Sequence, residues 1–253
     1  MGFLKELFEK GPEKPSIDVK TVEKALEGAL WPLLKAHGFD AFKGRTAWRH
    51  QEKKIDVVEI QFFSKSQARK LGITPYSFAL PVGCFYSFIP SYGAARLADQ
   101  NGVILPEEVW CHLRKAPSKT LKQSECKMTG VWYIDPFGKY LERAVTDVKH
   151  IIEVDILPWL DRFDRLEEVL RTLLEDEEDQ RIRGWGFGRK GSPLRLYLTG
   201  FVALELQQWQ LALNALQQAL GTGNRPALSG NNEVNEHIRR GIARAEAALR
   251  GSA

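Results

Sequence analysis

The residues best suited by type to chemistry are Asp40 and the triplet Glu59-Ile60-Gln61. In metal-dependent nucleases, an acid near one strand and an acid-x-polar pair on the next can hold a divalent cation against a phosphate. Here Asp40 falls in a turn and Gln61 stands where such sites carry lysine. Polar positions on the solvent face of a half-buried strand explain the same residues. A second set is suited to binding. Arg183, Trp185, Arg189 and Lys190, with Arg181 and Phe187, form a basic aromatic cluster in RIRGWGFGRKGSP, a surface type that grips anions or a partner protein. Arg45 and Arg49 fall on one face of a short strand and Trp48 on the other. They read as binding cations or as side chains snorkelling in solvent while Trp48 enters the core.

Other catalytic patterns are missing from the sequence. His37 ends a helix, and His50, His112, His150 and His237 have no Gly-x-Ser-x-Gly or cysteine partner motif. The glycines of Gly184 to Gly188 follow no strand and match neither the dinucleotide nor the P-loop spacing. Cys84, Cys111 and Cys126 are widely spaced, and Cys111-His112 would point to opposite faces of a strand. No metal and no cofactor is expected.

Elements that must position these groups follow from periodicity. Ser16 to Ala36 reads as a helix with Ser16 as cap and a stripe of Val22, Ala25, Leu26, Leu30, Leu33 and Leu34, stopped by Gly38. Strands are expected at Thr46 to His50 and Ile55 to Phe63, with Glu52-Lys53-Lys54 as the turn between them. A third starts at Phe78, where alternation puts Phe78, Leu80, Val82, Cys84, Tyr86 and Phe88 on one face and Pro81 signals an edge or bulge. A short helix at Ala94 to Asp99 and strands at Val109 to Leu113 and Gly130 to Ile134 follow. A long helical pattern then runs from Leu141 to Ile156 until Pro158 ends or kinks it, and Phe163 to Glu178 continues.

This order implies an α+β fold: an antiparallel sheet of about four to five strands packed with helices, followed by an all-helical tail. The organisation reads as an α+β domain over 1–180, a Gly-rich linker or loop over 181–193, and 194–253 as a helical hairpin (Leu194 to Leu206, Trp209 to Leu220) plus a third helix, Glu233 to Leu249. Gly200, Ala212, Leu216 and Ala219 sit at the offsets of a tetratricopeptide-type repeat, with about one repeat present.

Charge is uneven. Residues 131 to 180 hold 6 lysines and arginines against 14 acids, whereas residues 1 to 130 hold 20 against 14 and residues 181 to 253 hold 10 against 4. The acidic middle reads as a solvated helix end or as a surface for a basic partner. The net +4 is too mild to indicate nucleic acid by itself and does not exclude it. Without 18 consecutive apolar residues or a signal-peptide pattern, no membrane partner and a cytoplasmic location are expected.

The turn and strand "L..HGF..F.GRTAWR", the "VVEIQFFSKS" strand and the "WY" strand before "ILPWLDRF" resemble a family of uncharacterised bacterial proteins known only as a domain of unknown function. The resemblance spans roughly residues 17–178. It implies a small α+β domain without an established activity, similar to accessory or immunity-type binding proteins. The leading expectation is therefore a non-enzymatic protein whose partner is another protein, such as a bacterial toxin or effector that it neutralises. The alternative is a metal-dependent nuclease-like enzyme using Asp40, Glu59 and Gln61.

Overall fold

The computed structural model describes residues 17–91, 102–177, 184–221 and 232–251. The first helix, α1 (Val19–Ala36), buries Val22, Leu26, Leu30 and Leu34 as one stripe. Asp18 caps it, its Oδ1 accepting the Thr21 N–H at 2.7 Å, which satisfies one of the donors every helix start leaves open. The expected cap, Ser16, lies outside the described residues, as does the expected helix at Ala94 to Asp99.

Strands β1 (Ala41–Lys43), β2 (Thr46–His50), β3 (Lys54–Glu59), β4 (Gln61–Phe62), β5 (Phe78–Ala79), β6 (Val82–Tyr86) and β7 (Leu113–Lys115) pair only antiparallel. The main sheet has the order β1-β2-β3-β6-β7, and β4 and β5 form a separate pair. The expected strand from Ile55 to Phe63 is thus divided at Ile60, whose N–H turns to the Arg45 carbonyl at 2.8 Å. The run from Phe78 divides at Leu80-Pro81. Pro81 has no N–H to donate, and its carbonyl accepts the Glu59 N–H at 3.0 Å. It marks a break between two strands, and β6 beyond it is interior.

Two other expectations shift. Glu108–Trp110 is a single 3₁₀ turn, with the strand beginning only at Leu113. Trp132 makes an isolated two-bond bridge to Phe78 where a strand from Gly130 to Ile134 was expected. Between β4 and β5, α2 (Lys65–Leu71) opens with a capping box of Ser64 and Gln67.

After α3 (Leu141–Ile151), the helix widens into a π turn at Ile152–Ile156 and runs on as α4 (Leu157–Arg162). Pro158 therefore does not end it: the wider turn just before it accommodates the missing donor. α5 (Leu166–Glu175), α6 (Pro193–Glu205), α7 (Trp209–Gly221) and α8 (Asn232–Gly251) complete the chain. The fold is α+β with a C-terminal helical region. No helix among the described residues is long and apolar enough to cross a membrane.

Register sorts the sheet into two faces. Ala47, Val58, Val82, Cys84, Tyr86 and Leu113 join the stripes of α1, α3 and α4 in the main core, which continues into α6, α7 and α8. Trp48, Ile55, Val57, Phe85 and Cys111 lie on the other face with Ile104 and Leu105 packed against them, and the Trp48 indole donates to the Pro106 carbonyl at 2.8 Å. In the tail, Leu216 wedges between two glycines: a Cβ on Gly200 would stand 2.5 Å from it and one on Gly241 2.7 Å. Arg195, itself 2% exposed, donates to the Thr172, Leu173, Asp176 and Gly188 carbonyls and so ties α6 to the end of α5.

Candidate functional site

On the helical face, β2 and β3 place Arg49 opposite Asp56, with Lys54 two positions before it. The end of α4 brings Asp161 and Asp164 over them. Arg49 donates to Asp56 and to Asp161, each at 2.7 Å. Lys54 reaches Asp56 at 2.9 Å, the Leu160 carbonyl at 2.7 Å and Asp164. Burial pushes the Asp56 carboxyl above its ordinary value, against the pull of Lys54 and Arg49. Burial pulls the Lys54 ammonium down, but its carboxylate neighbours more than offset this and hold it above the ordinary lysine value. Cys84 lies 3.6 Å from Asp56, and burial raises its thiol well above the usual range. A thiol held protonated is a poor nucleophile. This cluster is a tie between helix and sheet, its charges spent on one another.

The proposed acid set does not converge. Asp40 accepts from the His50 ring nitrogen Nδ1 at 2.8 Å, beside β1. Glu59 pairs with Thr46 at the other end of β2, and β1 and β3 flank β2 on opposite sides. Two strand spacings of about 4.8 Å, plus most of the length of β2, separate the carboxylates. Gln61 is exposed on the separate β4. Burial and the nearby Glu108 carboxylate raise the Glu59 carboxyl. Among the described residues, no group of three or more His, Cys, Asp and Glu is disposed to hold a metal ion.

The basic candidates separate as well. Arg45 forms a two-bond pair with Glu23 at 2.8 and 3.1 Å and lies over the Phe62 ring. Arg49, read as a solvent-facing cation, is only 12% exposed within the tie, because α4 closes over it. Arg183 lies outside the described residues. Trp185 is zipped to the sheet edge: its N–H and carbonyl exchange hydrogen bonds of 2.8 and 2.7 Å with Arg114 on β7, whose guanidinium stacks over the indole and forks onto Glu108. Gly184 and Gly186 carry positive φ, and a Cβ on either would approach Arg114 to 2.9 Å. The glycines thus serve an edge strand contact. Among the described residues of this cluster, only Arg189 and Lys190 are exposed, and Lys190 sits 3.4 Å from Glu177.

Beside this loop is a cavity of about 310 Å³ lined by Leu113, Trp159, Phe163 and Phe187, and by Arg162, Arg171, Thr172, Asp176, Glu177 and Gly184. Arg162 and Arg171 both donate to Glu168 at 3.1 Å. Thr172 is 4% exposed, and its Oγ1 has no hydrogen-bond partner among the described residues. A buried hydroxyl in that state is uncommon and calls for an explanation. Among the described residues of the loop, Gly184 and Phe187 line this cavity. Trp159 and Thr172 were not singled out in the sequence. Their one signal is local: an aromatic in "ILPWLDRF", and a polar residue next to the apolar positions Val169, Leu170 and Leu173.

No curated protein and no solved structure matches the chain. A family described as a domain of unknown function (DUF4304) matches residues 30–162, more than half of the chain and narrower than the 17–178 expected from the motifs. That stretch runs from the middle of α1 to the last residue of α4. It encloses the whole sheet, both ends of the Arg49–Asp56–Asp161 tie and one wall of the cavity, and it stops before α5. The chain belongs to this DUF4304 family of unknown function.

Proposed function

We propose that this chain is a non-enzymatic, bacterial and cytoplasmic protein-binding protein of the immunity or inhibitor type, which neutralises a partner protein such as a toxin or effector. The observation that carries this reading is the cavity beside α5. Its wall combines arginines with tryptophan and phenylalanine, side chains enriched at protein–protein interfaces. The charges that converge elsewhere, on the helical face of the sheet, are bound to one another. A second surface is offered by α6 and α7, a tetratricopeptide-like hairpin in which Gly200 of α6 makes room for Leu216 of α7, with Gly241 of α8 on its other side.

The test is an affinity pull-down of the full chain from its native host. The reading expects one stoichiometric protein partner, whose own activity falls when the purified chain is added. Saturable divalent-cation binding that disappears on Glu59→Ala, together with turnover of nucleic acid, would overturn it in favour of the nuclease reading. Asp40, Glu59 and Gln61 stand too far apart to supply geometry for that alternative.

A further inference from the structure

We propose that His50 is a proton-operated latch: as an imidazolium it pins the segment 104–106 over the Trp48 face of the sheet, and loss of one proton frees the Ile104 end of that segment.

Bond geometry fixes the charge of the ring. His50 is the last residue of β2, and both of its ring nitrogens face oxygens. Nδ1 lies 2.8 Å from Asp40 Oδ1, and Nε2 lies 2.9 Å from the Ile104 carbonyl. An ionised carboxylate and a carbonyl can only accept. A neutral imidazole has one N–H and one lone pair, so either tautomer would aim a lone pair at one of these oxygens. The imidazolium alone donates to both. Asp40 is held in place for this, since its Oδ1 also accepts the His50 backbone N–H at 3.3 Å.

The surroundings favour the cation. Among the described residues, Asp40 is the charged side chain bonded to the ring. β3 sets Ile55 opposite His50, while Arg49 and Asp56 belong to the other face of the sheet. β1 carries its one charge, Lys43, at the far end, opposite Thr46, and residues 102–106 hold no ionisable group. Burial works against the charge, but the bonds to Asp40 and to the Ile104 carbonyl outweigh it and hold the imidazole above its ordinary value. The side chain is 25% exposed, so solvent can deliver and remove the proton.

The proton holds a lid in place. Ile104 and Leu105 pack on Trp48 and its apolar neighbours. The Trp48 indole, which does not titrate, holds the Pro106 carbonyl. When one proton leaves the ring, the N–H that remains stays on Nδ1, because a hydrogen bond to a carboxylate is roughly twice as strong as one between neutral groups. The Ile104 carbonyl then faces a lone pair and is released. The latch therefore contributes its stability in full below about pH 6.5 and loses it as the pH rises through the raised value of the folded state.

The test is an NMR titration of the full chain from about pH 5.5 to about pH 9, the range in which histidine switches. It follows the His50 ring nitrogens, the Ile104 and Leu105 methyl groups and the Trp48 indole. Both ring nitrogens should carry protons at the acid end, and the ring should titrate above 6.5. The methyl signals should move with the same midpoint, while the indole stays bonded. Asp40→Asn keeps an acceptor and removes the charge, and it should carry the ring and methyl midpoints together to lower pH. His50→Gln can donate to the Ile104 carbonyl without a titrating proton. It should leave the methyl signals level across the range, and the wild type should exceed it in urea midpoint by more at the acid end than at the alkaline end. A single ring proton at the acid end, methyl signals that ignore the titration of the ring, or midpoints unmoved in Asp40→Asn would each overturn the latch. So would a difference in urea midpoint that does not change with pH.

Discussion

On the helical face of the sheet, Lys54 and Asp56 are 3% and 0% exposed, and their side chains, with Arg49, close onto Asp161, Asp164 and the end of α4. Beside α5, Arg162 and Arg171 are 39% and 38% exposed and share a single carboxylate, while a threonine hydroxyl in the same wall is left without a partner. The two regions use the same residue types for different ends. Burial makes the first set inseparable, since removing one charge strands its partner in a medium that cannot solvate it. Partial exposure makes the second set exchangeable, since water and a ligand can replace each contact at little cost. The first region holds the fold, and the second contributes little to it.

The sharpest way to break that contrast is Asp56→Ala. It leaves Lys54 and Arg49 buried beside an absent carboxylate and should cost about 3–5 kcal/mol, read as a lower urea midpoint or loss of soluble protein. A cost below about 1 kcal/mol would show that the tie contributes no more than a surface pair.

His112 gives the next largest effect and a pH signature. Its Nδ1 accepts the Tyr86 N–H at 3.0 Å, and burial lowers the imidazole to about 3. The unfolded chain, with a histidine near its ordinary value of 6.5, takes up a proton that the native state refuses. This contribution is therefore whole above about pH 6.5 and falls as the pH drops toward 3, by about 1.4 kcal/mol per unit. Between pH 7 and pH 5, His112 should remove about 2 kcal/mol of unfolding free energy. Urea curves of the wild type and His112→Asn across that interval check it, and the variant should show a flatter dependence. Arg171→Ala, from the exposed region, should change stability by less than about 1 kcal/mol. A cost similar to that of Asp56→Ala would erase the distinction between the regions.

How far these regions could be read in advance depended on the range of the interactions. The stripe Val22, Leu26, Leu30 and Leu34 and the tail helices are local periodicities, and they appear where the pattern puts them. The breaks at Ile60 and Pro81 depend on where a neighbouring strand ends, which alternation along one strand does not contain. Lys54 looked like part of a turn, because its partners Leu160 and Asp164 are more than a hundred residues away. The glycines of 184–188 were legible as a loop, but their reason, an edge contact with Arg114, comes from a distant strand. Thr172 carries only a local signal in the sequence, a polar residue beside apolar helix positions. Its neighbours mark it as one more turn of a helix, and only the packing around it leaves its hydroxyl alone.

The smallest expected change in stability is that of Thr172→Val, which should leave the unfolding free energy level or raise it by up to about 1 kcal/mol, because it removes an unpaired buried polar group. The measurement that tests the account most directly is urea unfolding of Asp56→Ala beside Arg171→Ala. The account predicts a loss of about 3–5 kcal/mol for the first and of less than about 1 kcal/mol for the second. Equal losses would contradict it.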